Sequence, residues 1–205
     1  MTYQDDGPST AGSVYLGTNS KLILDLGSRL EVSGDFYNTP LSVVKLGAAD
    51  LVINGTAMVS GPIFSSSSKS NVQLGEYAVI NAAVHVTGDL TLATTTFIQS
   101  ANVSLSGLLT LGDGVFTLGT YGRIVVTGNI YSPPSSSIVI KAYGALVLTS
   151  EYHINLNSIT SEPYGLLYTG SSPPSTFSNI SLLELQPFLI TCFLFQWNHF
   201  NFNNW

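Results

Sequence analysis

Val84-His85-Val86-Thr87-Gly88-Asp89-Leu90 alternates apolar and polar residues, then breaks at a small polar residue and a glycine. Alternation with period 2 marks a strand with one buried face, and glycine next to a small polar residue marks a corner. The same order recurs in Leu30-Glu31-Val32-Ser33-Gly34-Asp35-Phe36, Leu51-Val52-Ile53-Asn54-Gly55-Thr56-Ala57 and Val103-Ser104-Leu105-Ser106-Gly107-Leu108-Leu109. Ile124-Val125-Val126-Thr127-Gly128-Asn129-Ile130 and Leu146-Val147-Leu148-Thr149-Ser150-Glu151-Tyr152 complete the set. The fifth positions are Gly34, Gly55, Gly88, Gly107, Gly128 and Ser150, a near-constant step with one long interval from Gly55 to Gly88. Other markers keep the beat. Tyr121-Gly122, Tyr143-Gly144 and Tyr164-Gly165 recur one period apart, and Ser132-Pro133-Pro134-Ser135 returns two periods later as Ser172-Pro173-Pro174-Ser175.

A coil of this size cannot bury its inner face alone, whereas coils stacked about 4.8 Å apart bury a continuous column. The expected fold is all-β, a single-stranded parallel β-solenoid (β-helix) of about seven coils of roughly 20–22 residues. Leu30, Leu51, Val84, Val103, Ile124 and Leu146 are expected to stack as one inner column, and Val32, Ile53, Val86, Leu105, Val126 and Leu148 as the next. The long interval is read as an insertion near Gly61–Ser70, where Ser65-Ser66-Ser67-Ser68 looks like a loop. The corner glycines are expected to supply positive φ. An antiparallel sandwich or barrel also explains strands and turns, but does not require the near-constant step. The hand of the coil, and a choice of two or three faces, stay open.

Composition agrees with strands. Charged residues make up 9% of the chain, against about 25% in typical soluble domains, so Ser, Thr, Asn and Gly must solvate the surface. The net charge of −6 and the scattering of Lys21, Arg29, Lys45, Lys69, Arg123 and Lys141 exclude a nucleic-acid stripe. The solenoid is expected over residues 13–185, with 1–12 a flexible tail. In 186–205, Pro187-Phe188-Leu189-Ile190-Thr191-Cys192-Phe193-Leu194-Phe195-Gln196-Trp197 is apolar and then Asn-rich, and too short to span a bilayer. It reads as a cap over the open end of the stack or as translated non-coding sequence. Met1–Ser20 lacks a basic start and an apolar run, leaving an intracellular protein or a fragment. The sequons at Asn54, Asn102 and Asn179, possible glycosylation sites, lean toward secretion, and the lone Cys192 says little.

The coil spacing, with segments such as Val84-His85-Val86-Thr87-Gly88-Asp89-Leu90-Thr91-Leu92, resembles right-handed parallel β-helices at the level of fold, over roughly residues 14–170. The nearest pattern is the imperfect Gly- and Asn/Asp-rich coil of adhesin and autotransporter-like passenger regions. The resemblance implies surface adhesion, pectin or polysaccharide cleavage, or ice binding, because the fold does not fix the function.

No catalytic, cofactor-binding or metal-binding set emerges. Asp35, Asp89 and Glu151 share the position after the corner and read as turn chemistry. Asp113 sits in a Gly-Asp-Gly turn; His85 reads as a surface residue, with His153 and His199 far off in sequence. Ser33, Asn54, Thr87, Ser106, Thr127 and Thr149 form a surface ladder beside the corner. Such a ladder bonds along the stack or orders water, but its neighbour column (Glu31, Val52, His85, Ser104, Val125, Val147) is too mixed for a regular ice face. Tyr121, Tyr143 and Tyr164 form an aromatic row that either stacks on sugars or packs under loops. The expected function is a non-enzymatic structural or adhesive β-solenoid of the cell surface or extracellular matrix, without cofactor, partnered by a carbohydrate or another protein. The alternatives are a pectin-lyase-like carbohydrate-active enzyme and an ice-binding solenoid. Loops at Gly61–Ser70 and Ser132–Ser137 are expected to project and to carry binding.

Overall fold

The structure, a computed structural model, describes residues 8–149, 154–155 and 158–169. Each coil runs through three short strands and passes to the next. The first coil contains Pro8–Ala11, Val14–Leu16 and Lys21–Leu24, and the second Arg29–Val32, Phe36–Asn38 and Val43–Leu46. Corresponding strands pair in parallel and build three eight-stranded sheets, here sheets A, B and C in the order a coil visits them. Seven steps of about 4.8 Å make the stack roughly 34 Å long. The all-β parallel solenoid of about seven coils therefore stands, and its cross-section has three sides. Pro8–Ala11, inside the stretch read as a tail, pairs with Arg29–Val32. Residues 1–7 and the C-terminal segment 186–205 lie outside the described residues.

Alternation does the folding locally. Val72 and Leu74 of Asn71–Leu74, and Leu90 and Leu92 of Asp89–Leu92, are fully buried, while the residues between them face out. Both expected inner columns do point inward, but each is divided between two sheets. In sheet A the column runs Leu30, Leu51, Val72, Leu90, Leu109, Ile130. In sheet C it runs Leu22, Val44, Ile63, Val84, Val103, Ile124, Leu146, Leu167. Val84 thus stacks on Ile63, not on Leu51.

The long interval between motif copies is no insertion. It is one full turn within sheet A, from Leu51 to Val72, plus the passage along the coil from Val72 to Val84 in sheet C. Gly61–Ser70 contains the strand Ile63–Ser65, which pairs on both sides. Ser70 is buried and its hydroxyl donates to the Ser67 carbonyl at 2.7 Å. Ser132–Ser137 behaves alike: Ser136 is buried and donates to the Pro133 carbonyl at 2.8 Å. Ser28 and Ser42 make the same bond three residues back, to Asp25 and Thr39. These serines close tight turns by satisfying a carbonyl that the wall would otherwise bury. The expected projecting loops are wall.

Corner glycines serve space, not φ. Among the described glycines only Gly27, at φ 78°, lies in the left-handed region. A Cβ on Gly55 would stand 2.5 Å from the Gly34 carbonyl oxygen, and on Gly107 or Gly128 it would stand still closer to the glycine oxygen one coil below. The Gly107 N–H donates to that same Gly88 oxygen at 3.1 Å, so the contact cannot open without loss of the bond.

Sheet B lines its inner face with Phe36, Ala57, Ala78, Thr96, Phe116 and Ile138, all buried. Small residues fill the middle coils where the opposite walls are Leu, Val and Ile. Asn38 is buried there and satisfied, accepting from Ser60 N at 2.9 Å and donating to Gly61 O at 2.7 Å. Thr96 is buried with its hydroxyl unpartnered.

Candidate functional site

The ladder residues divide between two corners. Ser33 and Asn54 follow strands of sheet A; Thr87, Ser106, Thr127 and Thr149 follow strands of sheet C. Four of the hydroxyls donate to carbonyls one coil below: Ser33 to Ala11 (3.1 Å), Thr87 to Ser65 (2.9 Å), Thr127 to Leu105 (3.2 Å) and Thr149 to Val126 (3.5 Å). The Asn54 amide donates instead to the Glu31 carboxylate at 3.0 Å. These groups tie coil to coil.

The carboxylates do related work. Asp35 accepts from Thr56 N at 2.9 Å and Asp89 from Leu108 N at 2.8 Å, each across one coil step. Asp35 stands between sheets A and B, Asp89 at the start of a sheet A strand, so the two share no site. Asp113 accepts from the Ser135 hydroxyl. Glu151, His153, Asn179, Cys192 and His199 lie outside the described residues. Asn54 and Asn102 are exposed in the wall.

The tyrosine row is exposed, not covered by loops, and its rings stack on one another. Tyr121 and Tyr143 have centroids 5.8 Å apart, Tyr143 and Tyr164 5.5 Å, with interplanar angles of 21° and 8°. Mutual stacking occupies both faces of the Tyr143 ring and one face each of Tyr121 and Tyr164. All three tyrosines adopt left-handed φ, at 62°, 62° and 68°, and Ser100 holds the equivalent position one coil below at 52°. A bulky residue in that region is strained unless its surroundings hold it there. Beside this row, Lys141 bonds Glu162 at 2.6 Å. That bond, with a second from Ala142 N, holds the Glu162 carboxyl below its ordinary value.

Charge separates the three outer faces. Sheet A carries Arg29 between Glu31 (3.6 Å) and Asp50 (3.5 Å), with Asp89 further along. Sheet C carries Lys21, Lys45, His85 and Arg123 and no carboxylate among its described strand residues. Sheet B carries no acid or base other than tyrosine among its described strand residues. Its outward column runs Tyr15, Tyr37, Met58, Val79, Phe97, Thr117, Val139, Thr160, with Tyr77 and Val115 exposed beside it. The seven-residue corner pattern does not extend to this face because the sheet B strands end at other kinds of corner. The signal that could have found it is the alternation in Tyr77-Ala78-Val79-Ile80 and Thr95-Thr96-Phe97-Ile98, where both sets of positions avoid charge. Val52 and Val147, expected as outward apolar residues, occupy outward positions but are buried.

Sheet C bears a shallow groove of about 420 Å³ lined by Lys45, Leu46, Phe64, Ser65, Ser66, His85 and Thr87. Lys45, Phe64, His85 and Ser104 are successive residues of one outward column. His85, exposed as expected, lies with Nδ1 2.5 Å from the Ser104 hydroxyl.

Comparison with protein-family models, with curated proteins and with solved structures found no match.

Proposed function

We propose that the chain is a non-enzymatic, adhesive β-solenoid of the cell surface or extracellular matrix, and that sheet B is its contact face toward a neutral polysaccharide. The observation that carries this reading is the outward column of sheet B, which presents aromatic, aliphatic and threonine side chains without a charge over eight strands. An uncharged face meets an uncharged polymer without desolvating an ion, and exposed apolar patches of this kind mark contact surfaces. The exposed Tyr15, Tyr37 and Tyr77 and the half-buried Phe97 offer rings for the C–H faces of sugars. At about 13 Å by 34 Å the face covers roughly 440 Å², short of the ~800 Å² per partner of a standard protein interface. A polymer that meets several coils at once gains by avidity what one small interface lacks.

The test is adsorption of the labelled chain to insoluble neutral polysaccharides, such as cellulose and chitin, beside an anionic one. Adsorption to a neutral polymer, abolished in Val79→Lys/Phe97→Lys, supports the reading. Failure to adsorb to any neutral polymer, or release of soluble sugar from pectin by the chain, overturns it.

A further inference from the structure

The groove on sheet C stands apart from the charge-free face and differs from it in chemistry. The chain carries a net charge of −6, yet the charged groups on the described strands of sheet C are all basic. Arg29, on sheet A, sits between two carboxylates within 3.6 Å. Lys45 has no salt bridge among the described residues, and its neighbours in the outward column are Ile23 and Phe64. A cation left without a counter-ion beside an exposed ring is available to an incoming anion, and more so where apolar walls thin the water around it.

We propose that this groove binds a small carboxylate whose body is a flat apolar ring. The carboxylate pairs with the Lys45 ammonium and the ring lies against Phe64, which is 41% exposed and next in the column. His85 closes the far end. Parallel neighbours lie about 4.8 Å apart, so Lys45 and His85 are separated by roughly 10 Å along the column. That span takes one ring with a short acidic side chain. When Ser104 donates to His85 Nδ1, Nε2 carries the proton and offers a donor to a second polar group of the ligand. Ser66 and Thr87 line the edge, their hydroxyls already donating to the Leu46 and Ser65 carbonyls. The ligand class follows from this order of groups: cation, ring, imidazole.

Two other features fit this chemistry less well. The cation beside the tyrosine row, Lys141, is paired with Glu162, and the Arg29 cluster is already neutralised. The groove is the place where an unpaired cation, an exposed ring and a concavity coincide.

The experiment is a titration of the isotope-labelled chain with 3-phenylpropanoate and, in parallel, with its neutral primary amide, followed by amide chemical shifts. Binding on the order of millimolar suits a contact of this size. Saturable shifts are expected at residues 44–46, 63–66 and 85–87 with the carboxylate, and at least fivefold weaker binding of the amide. Lys45→Gln is expected to weaken the carboxylate at least fivefold and leave the amide unchanged, and Phe64→Ser to weaken both. Lys21→Gln, on the same sheet, is expected to change neither. All three positions face outward, and the amide spectrum of each variant reports its folding directly. Equal binding of acid and amide, equal effects of the two lysine changes, shifts centred elsewhere, or no saturable shift at 20 mM probe would each overturn the proposal.

Discussion

The same seven-residue pattern turns two different corners in the two halves of the molecule. In Leu30–Phe36 and Leu51–Ala57 it ends a strand of sheet A and enters sheet B; in Val84–Leu90, Val103–Leu109 and Ile124–Ile130 it ends a strand of sheet C and enters sheet A. Both corners bring a glycine against the carbonyl of the glycine one coil below, and both place small polar groups where they bond down the stack. The third corner, from sheet B to sheet C, is built otherwise in the later coils: a tyrosine takes the left-handed turn, with a glycine after it that a neighbouring coil crowds. Glycine at the motif corners Gly55, Gly107 and Gly128 is therefore selected by lack of room. At the third corner the strained φ of Tyr121, Tyr143 and Tyr164 falls on exposed side chains that stack on one another.

Substitutions at the two kinds of corner should separate these roles. The largest loss is expected from Gly107→Ala, whose Cβ meets the Gly88 carbonyl oxygen. Overpacking against backbone costs about 2–3 kcal/mol, which lowers the melting temperature by roughly 5–10 °C in a calorimetric scan. Alanine tolerated there at no cost would break the comparison.

At the other corner, Tyr143→Ala removes two ring stacks, each about 0.5–1.5 kcal/mol, and keeps a Cβ at left-handed φ. Tyr143→Gly loses the same stacks but relieves about 1 kcal/mol of backbone strain. Urea unfolding should thus rank the glycine variant above the alanine variant, the reverse of the usual order inside strands. A smaller effect belongs to Asp89→Ala. It leaves Leu108 N to water and should cost about 0.5–1 kcal/mol, read from the same urea curves, with Asp89→Asn recovering most of it.

The smallest effect concerns Glu162. Its folded-state value is depressed, first by the Lys141 bond and then by Ala142 N, so its contribution is present above the unfolded carboxylate value and lost as pH falls through the folded one. Glu162→Gln should melt slightly below the parent at neutral pH, and the gap should close on acidification. A gap that widens in acid would contradict the assignment.

The period, the parallel stacking and the inward positions were legible because burial forces alternation and stacking forces recurrence. Column membership was not. The pattern records a corner with no room for a side chain, and a coil has more than one such corner; copies on different sheets look like one column with a single long gap. Serine-rich stretches misled in the same direction. Ser65–Ser70 and Ser132–Ser136 have loop composition, yet Ser70 and Ser136 are buried by bonding carbonyls three residues back. The candidate surfaces were the least visible. Lys45, Phe64 and His85 are each separated by a whole coil of sequence, and only the register joins them. The left-handed tyrosines had a legible beat but no sign of their mutual stacking.

Register is the central claim, and paired cysteines test it most directly. In a background with Cys192→Ser, Phe64→Cys/His85→Cys places thiols on outward neighbours in adjacent strands of sheet C, about 4.8 Å apart and within disulfide reach. Val52→Cys/His85→Cys joins the residues that a single motif column would have made neighbours, but the structure puts them on different sheets. Mild oxidation of the folded chain should close the first pair within the chain and leave the second open. Closure of the second pair with the first left open would contradict the three-sided register.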